Sequence, residues 1–237
     1  MTLRALALAA LAVVLVIPVN AREPEITPIG DVEIQWQSDA QREAGDRCSA
    51  GRSDYYWAIS NWFTGNEVYA TLGLPEVCAE CGGGWHAVSV TMYLYWATAD
   101  ECQMSAVSTI REAEPCGESY VPGDIIVMSE ETPVGDIETA GLWAVTIELP
   151  EDTPILTEPF FVTVAFLDAC GNLPKLVTNS GPCTDGQSWN NWGTGWQSLC
   201  DFSFPGDVSL YATLRCQGPT AVEQSTWTTI KAIYRNQ

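Results

Sequence analysis

Val88-Ser89-Val90-Thr91-Met92-Tyr93-Leu94-Tyr95-Trp96 sets Val88, Val90, Met92, Leu94 and Trp96 on one side of an extended chain and Ser89, Thr91, Tyr93 and Tyr95 on the other. Period-two alternation of this kind, rich in β-branched and aromatic residues, is the signature of a half-buried strand. The same texture recurs outward from it. Short β-rich runs occupy residues 55–60, 67–72, 124–129, 142–149, 160–167, 174–178 and 207–215, separated by Gly, Pro, Asp and Asn. In the run around Val162, Val164 and Phe166 the alternate residues Thr163, Ala165 and Leu167 are also small or apolar, which predicts a strand buried on both faces. Val208, Leu210, Ala212 and Leu214 alternate with Ser209, Tyr211, Thr213 and Arg215, which predicts one wet face. Eight or more short strands with no helical segments between them point to an all-β chain, an antiparallel β-sandwich of jelly-roll type.

The ends differ from the middle. Residues 1–21 carry one basic residue, Arg4, then an apolar run from Ala5 to Pro18 that closes on Val19-Asn20-Ala21. That pattern predicts a secretory signal peptide; the run is too short and too weakly flanked to predict membrane insertion. The expected location is therefore extracellular or at the cell surface, where cysteines can pair. Residues 22–54 are charged and poor in apolar residues except around Val32-Glu33-Ile34-Gln35-Trp36, and predict a loosely held N-terminal arm with one short strand. The sandwich domain is expected over residues 55–217 and a partly helical tail over 218–237. In the tail, Ser225 or Thr226 offers an N-cap, and Trp227, Ile230 and Tyr234 fall on one stripe. The ending Ser225-Thr226-Trp227-x-x-Ile230-Lys231-x-x-Tyr234-Arg235 resembles the tails of secreted jelly-roll β-sandwich proteins of little-studied bacteria. The resemblance implies the same sandwich for residues 55–216 and brings no catalytic residues with it.

Charge excludes whole classes of partner. The chain carries a formal net charge of −20, and between residues 53 and 214 only Arg111 and Lys175 are basic, against 22 Asp and Glu. Nucleic acid and anionic membranes bind through Lys and Arg that replace counterions, so neither is an expected partner. Neutral polysaccharide, cations or a basic protein remain on charge grounds, and the expected partner is polysaccharide or neighbouring copies of the same chain.

Nine cysteines imply a disulfide framework with one thiol left over. Spacing suggests two local pairs, Cys102 with Cys116 and Cys170 with Cys183, each closing a loop of about 15 residues and contributing about 3 kcal/mol by chain entropy. Cys200 with Cys216 is a third expectation. Cys78-x-x-Cys81 has no second Cys-x-x-Cys to complete a zinc site and is expected to pair structurally. Cys48, on the arm, is the expected odd thiol and a candidate for an intermolecular disulfide.

The densest constellation of binding-type residues is Thr178 to Trp196. It holds Trp189, Trp192 and Trp196 within eight residues, among Asp185, Gln187, Asn190, Asn191 and several glycines. Indole faces stack on the apolar faces of sugar rings, amides and carboxylates bind hydroxyls, and glycine lets a ligand approach the backbone. The expected function is thus a non-catalytic carbohydrate-binding module. Two alternatives stand beside it: a structural subunit of an extracellular filament, coat or matrix assembled through the N-terminal arm, and a glycoside hydrolase with paired carboxylates. The latter has weak footing, since no Glu-x-Asp-x-x-Glu array occurs and Glu131, Asp136 and Glu138 are spaced wrongly. A single histidine, His86, leaves little room for a Ser-His-Asp site. No cofactor is expected beyond a structural calcium, for which Asp100, Glu101, Asp168, Asn172 and Asp185 are the oxygen donors at loop positions.

Overall fold

The computed structural model describes residues 25–37, 47–78, 81 and 83–217. The predicted signal peptide and the C-terminal helix lie outside the described residues. Two curled, almost wholly antiparallel sheets face each other. The first contains β1 (Glu25–Pro28), β2 (Gln35–Trp36), β3 (Arg47–Gly51), β4 (Trp57–Ser60), β6 (Trp85–Trp96), β10 (Gly141–Glu148), β12 (Lys175–Thr178) and β15 (Leu210–Cys216). The second contains β5 (Val68–Gly73), β7 (Asp100–Cys116), β8 (Ser119–Met128), β9 (Thr132–Ile137), β11 (Phe160–Phe166), β13 (Ser188–Asn191) and β14 (Gln197–Ser198).

The pairing is nested. β4 pairs with β12, β5 with β11, β6 with β10, and β7 with β8, all antiparallel. Folding a long hairpin of such pairs in half gives the jelly roll, with β4-β12-β6-β10 on one layer and β5-β11-β7-β8 on the other. Three additions extend this frame. β13 and β14 continue the second sheet beyond β5, β9 shares the outer edge of β7 with β8, and β15 shares the edge of β6 with β12 and carries β3.

All eight strands expected from the sequence are present. Val90, Met92, Leu94 and Trp96 of β6 enter the core between the sheets, as their alternation requires. Val88 does not, because a register shift between Thr213 and Leu214 of β15 breaks the period, so that Ala87 and Trp85 take the inward positions. β11 is buried on both faces, Phe160, Val162, Val164 and Phe166 inward and Phe161 and Thr163 outward.

The face of β15 expected to be wet is dry over most of its length: Ser209, Tyr211 and Thr213 are buried, and only Arg215 at its end is exposed. At Tyr211 the cover is the N-terminal arm, whose described residues 25–37 lie on the sheet rather than loose. β1 pairs with β4 at one edge of the first sheet, β2 pairs in parallel with β10 at the other, and residues 29–34 cross the outer face between them. Ile29, Val32 and Ile34 pack there against Tyr93, Leu142, Ala144, Val177 and Tyr211, and the Tyr55 hydroxyl donates to the Val32 carbonyl at 3.3 Å.

The disulfides also depart from the spacing argument. They are Cys48–Cys78, Cys81–Cys216, Cys102–Cys170 and Cys183–Cys200. Cys102 does not pair with Cys116, nor Cys170 with Cys183, nor Cys200 with Cys216. Cys48 is bonded within the chain, and the free, exposed thiol is Cys116 at the tip of the β7–β8 hairpin. Topology overrides sequence proximity: Cys102 opens β7 and Cys170 follows β11, two strands that lie side by side.

Candidate functional site

The Cys183–Cys200 bridge, with a sequence separation of 17, closes the segment that carries all three tryptophans. It is anchored from beneath by Asp207, which is fully buried. One Asp207 carboxylate oxygen accepts from the Arg52 guanidinium and the other from the Thr184 amide, both at 3.0 Å, while its own amide donates to Asn179 Oδ1 at 2.9 Å. The Asp207 carboxylate lies against the two sulfurs, and among the described residues Cys183, Cys200 and Asp207 form the one group of three acidic, thiol or imidazole residues close enough to share an ion. Sulfurs already bonded to each other are not thiolate ligands, so the group is a staple packed on an ion pair rather than a metal centre.

Within the loop, strand parity sorts the side chains. Ser188 and Asn190 of β13 point inward and are fully buried, and Ser188 Oγ accepts from the Val208 amide at 3.0 Å. Both polar atoms of the Asn190 carboxamide, and Trp62 Nε1, are buried without a partner among the described residues. Trp192, two residues on, keeps the inward parity. Its ring lies 5.3 Å from Trp62 and 5.5 Å from Phe202, edge to face, in a cluster that Phe204 completes. Asn190 is therefore a core residue, and Trp192, half-buried like the other two tryptophans, packs against the core at one end of the sandwich.

The other members of the constellation face outward. Trp189 is half-buried and donates through Nε1 to the Gly186 carbonyl at 3.2 Å. Trp196 is half-buried with the Arg111 guanidinium 5.6 Å from its ring centroid, a cation–π contact. Burial holds the Arg111 guanidinium below its ordinary value, and Asp124 offsets part of that. Asn191 Oδ1 accepts from the Gly193 and Gly195 amides at 2.7 and 3.3 Å, which shapes the turn between the two tryptophans. Both glycines have φ of +90° and +107° and face open space. Gln187 is tied down, its Nε2 donating to the Leu72 carbonyl at 2.7 Å, whereas Asp185 is exposed at the loop tip. Beside it, a Cβ on Gly186 would stand 2.5 Å from Ser119 Cβ, so the loop tip abuts the β7–β8 hairpin.

The structure thus leaves Trp189, Trp196, Gln187 and Asn191 half-buried and Asp185 exposed, buries Asn190, and sets the half-buried Trp192 against Trp62 and Phe202. It adds Arg111, which the sequence marks only as the sole arginine between residues 53 and 214. Of the oxygen donors named for calcium, Asp100 and Asp168 accept from main-chain amides. Asp100 accepts from the Cys102 amide at 3.0 Å and from the Asn172 amide, and Asp168 accepts from the Ser105 amide at 2.6 Å. His86 Nδ1 lies 2.6 Å from the Thr153 carbonyl, and Glu131, Asp136 and Glu138 are exposed along and beside edge strand β9. Among the described residues no helix is long and apolar enough to cross a membrane. No protein-family model matches the chain, and no curated protein or solved structure is similar enough to count as a match.

Proposed function

We propose that this chain is a secreted, non-catalytic carbohydrate-binding module, and that it grips a neutral polysaccharide on the outer side of its second sheet. The observation that carries the reading is the pairing of Trp189 and Trp196 on one disulfide-closed loop, both half-buried, on either side of a glycine turn that faces open space. Stacking needs an aromatic face held at fixed orientation, and the Trp189–Gly186 hydrogen bond and the Arg111–Trp196 contact supply that. Asp185 and Asn191 flank the indoles as hydroxyl partners.

The test is a titration of the exported protein with insoluble and soluble polysaccharides, followed by tryptophan emission and by pull-down. Trp189→Ala and Trp196→Ala are expected to weaken binding by at least about tenfold each, with unfolding midpoints close to wild type. Trp192→Ala is expected to act differently, lowering stability by about 3 kcal/mol because it leaves a gap among Trp62 and Phe202. Retention of wild-type affinity in the Trp189→Ala, Trp196→Ala double variant would overturn the reading.

A further inference from the structure

On the first sheet, four strands place unlike polar groups in one row. Glu25 of β1 stands opposite Ser60 of β4. Ile59 of β4 stands opposite Leu176 of β12, and that register continued by one residue sets Ser60 beside Lys175. Lys175 in turn stands opposite Tyr95 of β6, its ammonium 5.7 Å from the ring centroid. Neighbouring strands are about 4.8 Å apart, so the carboxylate-bearing and ammonium-bearing positions lie two spacings apart, with only the small Ser60 between them. The gap opens into a cleft of about 400 Å³ lined by Glu25, Ser60, Asn61, Phe63, Leu173, Pro174 and Lys175.

The far wall of this cleft is held rigidly. Asn61 sits in the left-handed region with φ +61°, and the turn that follows is locked by Glu67, a fully buried carboxylate. Glu67 accepts from the Thr64 and Asn66 amides at 2.8 and 2.9 Å, from the Thr64 hydroxyl, and from the Tyr69 hydroxyl at 3.1 Å. Gly65 packs so closely on Asp168 and Ala169 that a Cβ there would stand 2.1 Å from Ala169 Cβ. A pre-shaped wall spares a ligand the cost of ordering it.

The donor inventory names the ligand class. Glu25 only accepts, Lys175 only donates, and Ser60 and Asn61 do both. Their charges cancel, and Leu173 and Pro174 add an apolar margin. Groups that are donor and acceptor at once, carried on a compact uncharged frame, match that set: the hydroxyls of a sugar ring. The volume falls within the range of small-molecule sites, roughly 300–1,000 Å³. We infer that this cleft is a second saccharide site, for a neutral mono- or disaccharide unit, and that the N-terminal arm completes it by supplying Glu25. The inference extends the carbohydrate reading to another sheet and does not use the tryptophan loop.

The two sites are separable by amide NMR on the exported chain, titrated to about 20 mM with cellobiose, maltose, lactose and mannobiose, and with glucuronate for comparison. At least one neutral disaccharide is expected to move the Ser60, Asn61 and Lys175 signals saturably. Lys175→Met and Ser60→Leu are each expected to weaken that response by roughly tenfold or more, the first by removing the donor and the second by filling the gap. Trp189→Ala is expected to leave it unchanged. Shifts confined to the tryptophan loop would overturn the cleft and keep the proposed function, whereas shifts confined to the cleft would do the reverse. No saturable cleft response to any neutral sugar, an unaltered response in Lys175→Met, or a preference for glucuronate would each overturn the inference.

Discussion

Glu67 has no exposed surface, and its side-chain oxygens accept from four donors. One of them is the phenol of Tyr69, itself fully buried, and burial with the adjacent carboxylate pushes that phenol well above its ordinary value. Tyr93, packed under the arm beside Tyr211 and Tyr55, is raised in the same way, chiefly by burial. The consequence for stability has a definite sign. In the unfolded chain both phenols ionise near pH 10, while the native state keeps its protons, so stability is fully present below about pH 10 and falls as pH rises beyond it. Urea midpoints measured from about pH 8 to about pH 11.5 should hold level and then drop. Tyr69→Phe should shrink the drop and should cost about 2 kcal/mol at neutral pH, the value of a hydrogen bond to a charged group. A level midpoint across that range would contradict the account. At this scale the sequence is legible in residue type but not in side. Trp189, Trp192 and Trp196 look alike in the chain, yet one packs inward among aromatics because Ser188 and Asn190 set the parity. Strand parity alone could have turned Trp192 toward the core once β13 was recognised, but a four-residue strand of Ser, Trp, Asn and Asn carries no apolar alternation to announce it.

The elements that the sequence hid share a physical reason. β7, at 17 residues the longest strand, presents Met104, Ala106, Ser108 and Ile110 to the interior side and Glu112 and Glu114 further on, so its pattern fades just where the strand leaves the sheet. Pairing with β11 stops at Glu112, and residues 113–122 continue as a projecting hairpin with charged, open positions. Disulfides were illegible for a different reason. Sequence separations of 30, 135 and 68 in three of the four bridges reflect which strands the jelly roll sets side by side, and no local spacing encodes that. The fourth, Cys183–Cys200, is local and brackets the tryptophan loop. By the chain-entropy relation a closed loop of that size contributes about 3 kcal/mol. The paired variant Cys183→Ala, Cys200→Ala should therefore lose about that much stability. It should also lose polysaccharide binding before it loses fold, since Trp189 and Trp196 sit within the released segment while the nested strand pairs do not. Equal loss of both across a denaturant series would mean that the loop and the sandwich unfold as one unit.

Over the whole molecule the arm decides what kind of surface the protein shows. The nested hairpins leave the outer face of the first sheet apolar at Tyr93, Leu142, Ala144, Val177 and Tyr211, and a soluble sandwich does not leave such a patch open. Residues 29–34 cross it as a strap held at both sheet edges, and all four disulfides lie between Cys48 and Cys216, so this strap is held by non-covalent contacts alone. The low apolar content of residues 22–54 conceals this, because among the described residues of the strap Ile29, Val32 and Ile34 do the covering and their spacing follows the crossing path rather than a strand period. The same contacts that fold the arm back hold Glu25 at the cleft proposed to bind saccharide. Val32→Asp with Ile34→Asp should uncouple the strap while leaving the core between the sheets intact. Two half-buried aliphatic side chains amount to about 2 kcal/mol of lost burial. The exposed face should then bind a hydrophobic dye and drive self-association measurable by light scattering, and the cleft's sugar response should fall with it. A variant that stays monomeric, dye-silent and fully responsive would mean that the strap neither covers the sheet nor completes the site.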